Sequence, residues 1–312
     1  MNDQQQPART MQPPTSEEVI GALQSAGWLL EQEAESAFEL RGFHTQINSA
    51  FTDPDDKSKS REIDVMAYKQ VYRNEDLRYS IGVRCLVECK QSSKPYALVG
   101  KEPNNVDKAQ ARKEQVFRFP HVVVGTTELP DGRSVPKTVT AREHTGLQRL
   151  TEAPWNQPIV ATQMTRLDFK KPKWSAENEG IFNGLVIPLA KATQHYRAQA
   201  LNYGSSSHDP TRGDWASIVF MYPMVVTSAD LYLVDANRRP YAAEKVQWAP
   251  LVRELKAGKL DGKYYIDIVN GDALDGYIDK HVLPFALAAQ ARAEADPMLF
   301  ITSGNRVQHP NL

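Results

Sequence analysis

Two apolar stretches, each interrupted by charges at alternate positions, flank one short polar segment: REIDVMAYKQVY (61–72) and IGVRCLVECK (81–90). Short apolar runs bounded by turn residues read as strands, and RNEDLR (73–78) reads as the turn between them. Side chains alternate across a strand. Glu88 and Lys90 therefore share one face of the second strand, and Glu62 and Asp64 share one face of the first. Charges on otherwise apolar strands need a partner or a metal ion. In an antiparallel hairpin, facing residues have a constant number sum. Setting Asp64 opposite Glu88 centres the hairpin on residue 76, inside Asn74-Glu75-Asp76. Facing residues lie about 4.5–5.5 Å apart, so the sequence permits two carboxylates on one face, close enough to share a cation.

Two carboxylates at that separation repel unless a cation lies between them. An oxygen donor set with room for water suits Mg2+ or Mn2+ rather than zinc. Such an ion activates water and neutralises charge on a phosphodiester. Lys90 would then polarise the water or stabilise oxygens that gain charge. Other chemistries find little support. No histidine pair stands at i, i+4, and two cysteines make no zinc finger. No G-x-x-x-x-G-K-[ST] occurs. Ser205-Ser206-Ser207-His208-Asp209 holds triad residue types, but adjacent residues do not adopt triad geometry and no nucleophile elbow is present. Cys85 and Cys89, at i, i+4 on a strand, stand about 13 Å apart, too far for a disulfide. They read as small buried residues, which fits a reducing cytoplasm.

Asp64 followed by Glu88-Cys89-Lys90 resembles the PD-(D/E)xK motif of the restriction-endonuclease-like nucleases. The flanking text is similar too: a glutamate-bearing helix, Gly42-Phe43, Arg61-Glu62-Ile63-Asp64 and Val87-Glu88-Cys89-Lys90-Gln91-Ser92. The resemblance covers roughly residues 28–95, with Ile63 standing in place of the motif's proline. It implies that Asp64 and Glu88 bind Mg2+ or Mn2+ and that Lys90 assists the nucleophile. It implies a helical glutamate completing the site, Glu31 first and Glu35, one turn later, second. Gln91 would contact the substrate or the metal shell. The implied activity is phosphodiester hydrolysis, in DNA before RNA, in a setting such as bacterial defence or repair. The other reading is a catalytically silent nuclease fold serving as a nucleic-acid-binding or scaffold subunit. A homodimer or a partner subunit is compatible with either.

The formal net charge is −1, unlike proteins that coat nucleic acid non-specifically. Contact with nucleic acid must come from a local basic surface. Lys94, Lys101, Lys108, Arg112 and Lys113 could form a phosphate-binding rim. In RLDFKKPKW, Arg166, Lys170, Lys171, Lys173 and Trp174 mix positive charge with aromatics, as single-strand contact requires. No apolar run reaches the roughly 18 residues of a membrane span.

Periodicity predicts helices from Ser16 to Gly27 and from Trp28 to about Arg41, with Gly42 as C-cap. Further helices are expected over Val106–Phe119, Ala141–Leu150, Ser175–Ala200, Pro250–Lys256 and Asp272–Glu294. Strands are expected near Phe43–Phe51, Arg61–Tyr72, Ile81–Cys89, His121–Gly125, Ala216–Thr227, Leu231–Asp235 and Lys263–Val269. This order predicts an α/β fold: a restriction-endonuclease-like core with a mixed central β-sheet flanked by helices, and a helical insertion. The polar tail 1–15 reads as disordered, and 16–312 as a single domain with the insertion around 126–213.

Overall fold

The strand Tyr79–Lys90 has its first five residues and Cys85–Cys89 buried, so neighbours cover both of its faces. A computed structural model describes residues 13–104, the backbone of 114–116, and residues 121–147, 158–202 and 215–301. The chain opens with α1 (Ser16–Ala26) and α2 (Trp28–Glu39), then β1 (His44–Thr52), β2 (Ser60–Asn74), β3 (Tyr79–Lys90) and β4 (Tyr96–Lys101). Next come β5 (Glu114–Val116), β6 (His121–Glu128), β7 (Ser134–Thr140), the single turn α3 (Ala141–His144), β8 (Val160–Lys170) and β9 (Lys173–Glu177). The remainder is α4 (Ile187–Asn202), β10 (Ala216–Thr227), β11 (Leu231–Asp235), β12 (Ala243–Val246), β13 (Trp248–Leu255), β14 (Gly262–Asn270), α5 (Leu274–Tyr277) and α6 (Leu283–Ala295).

Twelve strands form one mixed sheet in the order β1-β2-β3-β10-β14-β13-β8-β4-β11-β12, with β5 on β10 and β9 on β8. β1, β2 and β3 make an antiparallel meander. β10 lies parallel to β3 over its whole length. A parallel neighbour needs a long crossover, and α4 precedes β10 along that return. Pleating sorts the core into two layers. Tyr79, Ile81, Val83, Cys85, Val87 and Cys89 face Leu30, Ala34 and Phe38 of α2 and Phe285 and Ala289 of α6. Leu86, from the other parity, joins Leu189, Ala192 and Tyr196 of α4. Each such fully buried side chain contributes roughly 1.5–3 kcal/mol.

The α/β class and the mixed, helix-flanked sheet agree with expectation. Thr15 caps α1 in a capping box with Glu18. Gly27, in the left-handed region at φ 86°, ends α1 and starts α2 without a gap. Residues 1–12 of the expected tail and Ser205–Asp209 lie outside the described residues.

Four expectations need correction. The described part of the insertion is not chiefly helical. β6 and β7 form a separate hairpin, and β8 and β9 belong to the main sheet. The helix expected from Ser175 starts only after Gly180, as a π-turn (Phe182–Val186) leading into α4, because Lys173–Glu177 pairs with β8. Pro250–Lys256 is not a helix but mostly β13, between β14 and β8. Its Leu251 and Leu255 have helical spacing, yet pairing with β14 from Trp248 to Leu255 decides the conformation. Within Val106–Phe119, Glu114–Val116 is a strand on β10, not helix. The rest of that segment lies outside the described residues.

Candidate active site

The antiparallel register of β2 and β3 runs Ala67↔Cys85, Met66↔Leu86, Val65↔Val87. The last pair of this ladder, Val65↔Val87, leaves Asp64 and Glu88 as the next residue on each strand. A register shift between Gln70 and Tyr72 absorbs one residue nearer the turn and leaves the site end unaffected. On β1, Asn48 adopts φ 49° between Ile47 and Ser49, which pair with Val65 and Ile63. The strand is thus irregular where it passes Asp64. One Asp64 carboxylate oxygen accepts the backbone N–H of Cys89 at 2.7 Å, which anchors the side chain beside the Glu88-x-Lys90 segment.

Glu88 is buried, 5% exposed. Burial first, then the negative charge of Asp64, pushes its carboxyl up to about 7, against the opposing pull of Lys90. Lys90 Nζ lies 2.8 Å from Glu88 Oε2. Burial disfavours the ammonium, but Glu88 outweighs that and holds Lys90 above its usual range. Glu31, in the first turn of α2, is half-buried. Burial and then Asp64 raise its carboxyl too, with Lys90 opposing. Three carboxylates from α2, β2 and β3 thus act on one another around a single lysine. Cys89, between Glu88 and Lys90, is buried on the opposite face, its Sγ 4.0 Å from Leu30 O, and its thiol is raised by burial and these carboxylates. No disulfide joins it to Cys85.

Neighbouring strands fix this end of β3. Thr227 of β10 donates its hydroxyl to Lys90 O at 2.9 Å, and its Oγ1 accepts from Ala229 N at 3.2 Å. Asn270, the buried last residue of β14, donates from Nδ2 to Ala229 O at 3.0 Å. The parallel strands β3, β10 and β14 therefore end together, where the charges gather.

Other expected residues fall differently. Glu35 faces away, accepting the Thr45 hydroxyl at 3.0 Å. Glu62 is solvent-exposed. Gln91 is exposed beside the α1–α2 junction, its Cβ 3.6 Å from where a Cβ on Gly27 would lie. Lys94 is ion-paired with Asp168 at 2.9 Å, and Lys101 is exposed. Lys108, Arg112 and Lys113 lie outside the described residues.

Asp53 was missed. It sits in the loop 52–60, which reads as turn residues throughout, yet it is 1% exposed. Lys191 Nζ contacts both of its carboxylate oxygens, at 2.9 and 2.8 Å, and Arg61 also binds it. Burial alone would raise this carboxyl, but Lys191 and Arg61 outweigh it and hold Asp53 well below the usual range. Lys191 lies on α4, so no local sequence signal marks the pair.

The oxygen donors of Asp64, Glu88 and Glu31 are of the kind that a hard divalent cation takes. As the side chains are placed, no three His, Cys, Asp or Glu among the described residues stand close enough to hold a metal ion. Asp64 is turned to the Cys89 amide and Glu88 to Lys90. No family model matches the chain, and no curated protein or solved structure is similar to it at a significant level. Among the described residues, no helix is long and apolar enough to cross a membrane.

Proposed function

We propose that this protein is a divalent-cation-dependent nuclease of the restriction-endonuclease-like kind, hydrolysing phosphodiester bonds, with DNA as the substrate. The observation that carries the reading is the hydrogen bond from Cys89 N to the Asp64 carboxylate, which holds Asp64 against the Glu88-x-Lys90 segment at the shared end of three strands. In this reading Asp64 and Glu88 hold Mg2+ or Mn2+, and Glu31 completes the negative rim. The ion supplies a Lewis acid and lowers the pKa of bound water. Were a cation to hold Glu88, the Lys90 ammonium would be released from that ion pair and available to orient water and to offset charge on the phosphate oxygens. Burial of Glu88 keeps bulk water away from that exchange.

One observation favours a second reading, in which the fold is retained but silent. The Glu88–Lys90 pair closes the site on itself, and the carboxylates do not converge as placed. Incubation of the purified chain with supercoiled plasmid, single-stranded DNA and RNA, in Mg2+, Mn2+ or EDTA, separates the two. The nuclease reading predicts cation-dependent cleavage that Asp64→Asn abolishes while the circular-dichroism spectrum stays unchanged. Cleavage unaffected by Asp64→Asn rejects the assigned site, and no cleavage of any substrate with either cation supports the silent fold.

A further inference from the structure

The loop after Lys90 is stitched to the β8–β9 hairpin. Leu167 N donates to Pro95 O at 2.8 Å, and Lys94 Nζ lies 2.9 Å from Asp168 Oδ1 and 3.6 Å from Glu177 Oε2. Lys94 lies four positions after Lys90, so its Cα is within about 14 Å of that of the candidate catalytic lysine. β8 pairs with β4 only as far as Arg166, opposite Tyr96, and then runs on with β9 as its partner. The hairpin therefore runs on past the first residue of β4, tied through Lys94 and Pro95 to the loop that follows Lys90.

Its pairs are Arg166↔Glu177, Leu167↔Ala176, Asp168↔Ser175, Phe169↔Trp174 and Lys170↔Lys173. Alternation gives the ribbon two unlike faces. The Asp168 and Glu177 face is held by ion pairs, including Lys170 to Glu177 at 2.7 Å. The other face presents Phe169 and Trp174, ring centroids 5.2 Å apart, at 48% and 58% exposure. Lys171 is exposed at the turn beside them, and Lys173, exposed next to Trp174 in sequence, extends from the opposite face of the ribbon, across from Lys170. Two large rings in mutual contact, left open to solvent and edged by lysines, mark a binding surface rather than a core position. Aromatic rings flanked by cations match a polyanion that offers flat, unpaired bases. A duplex hides its base faces in the stack and could meet only the lysines.

We propose that the β8–β9 hairpin is a substrate arm that grips single-stranded DNA, stacking bases on Phe169 and Trp174 and seating phosphates on Lys171 and Lys173. The choice of DNA rests on the nuclease reading above. The arm itself rests on the hairpin's own geometry. The substrate class follows: DNA with an unpaired segment beside the scissile bond, such as an overhang, a flap or a gap.

The test measures binding without cleavage, by fluorescence anisotropy of a labelled oligothymidylate of about 20 nucleotides in EDTA. Phe169→Ala/Trp174→Ala should weaken binding at least about tenfold, and leave binding of a blunt duplex of equal length within about twofold. Lys171→Glu/Lys173→Glu should also weaken binding and flatten its salt dependence. Unchanged oligothymidylate binding in the aromatic double variant overturns the arm. So does an equal loss for the duplex, or tighter binding of oligouridylate than of oligothymidylate by the wild type. Because no cation is present, failure of the arm is distinguishable from failure of the catalytic site. Plasmid cleavage by the wild type, together with oligothymidylate binding that the aromatic double variant leaves unchanged, removes only the arm. A protein whose arm binds single strands but cleaves nothing removes only the nuclease reading.

Discussion

Lys90 Nζ lies 2.8 Å from Glu88 Oε2, two residues back on the same strand, so the lysine occupies the position that a cation would contest. Removing it should separate metal binding from cleavage. Lys90→Ala is expected to bind Mn2+ at least as tightly as the wild type, because nothing then competes for Glu88. Its cleavage should fall by about 100-fold or more. Asp64→Asn should lose both. Isothermal titration with Mn2+, beside plasmid nicking rates, reads the two effects. Equal loss of Mn2+ affinity in both variants would contradict the roles assigned here.

Glu31 and Glu35 stand one turn apart on α2 but face different partners. Glu31 responds to Asp64 and Lys90, whereas Glu35 accepts from the Thr45 hydroxyl. Glu31→Gln should therefore slow cleavage about 10- to 100-fold, the usual effect of removing a group that supports a metal site. Glu35→Gln should change the rate by less than about threefold and cost up to about 1 kcal/mol of stability. The same nicking assay checks the first expectation, and urea unfolding the second.

Asp53 ties the loop before β2 to Lys191 on α4. Its carboxyl is held below the usual range in the folded chain. A depressed folded pKa stabilises the protein above the unfolded value of about 3.9, and that contribution is lost as pH falls through the folded value. Asp53→Asn leaves Lys191 buried with only Asp55, at 3.2 Å, to offset its charge. It should cost roughly 3 kcal/mol at neutral pH. The gap to wild type should narrow as pH drops below about 4. Urea unfolding across a pH series measures it, and a gap independent of pH would show that the cost does not come from this ionisation.

Gly100 sits where the β4–β8 register shifts, and a Cβ there would lie 2.3 Å from Val160 O. The obstacle is backbone, which cannot swing aside. Gly100→Ala should destabilise the protein by about 1–3 kcal/mol, visible as a lower melting temperature. An unchanged melting temperature would mean that β4 and β8 are not packed as described.

The β2–β3 hairpin that brings Asp64 and Glu88 to one end was legible because a hairpin obeys simple arithmetic and the turn RNEDLR is unmistakably polar. The register shift near Val71 falls between the turn and the site, so it did not disturb that reading. Features set by distant partners were not legible. Asp53 looked like one more loop aspartate because Lys191 lies 138 residues away. β13 carried a helical spacing of leucines and became a strand because β14 pairs with it along its whole length. The lysine rim after the motif was read from proximity in sequence. Of its members that are described, Lys94 is spent on Asp168 and Glu177. RLDFKKPKW, by contrast, kept its aromatic-basic character because a hairpin tip has few neighbours to hide it.

The central claim is that Asp64 and Glu88 hold one divalent cation between adjacent strands. The most direct test is anomalous diffraction from crystals grown with Mn2+. The account predicts one strong peak, about 2.1 Å from carboxylate oxygens of both Asp64 and Glu88, with Lys90 Nζ displaced from Glu88. A peak ligated by other residues, or Mn2+-saturated crystals in which Lys90 still closes on Glu88, would contradict it.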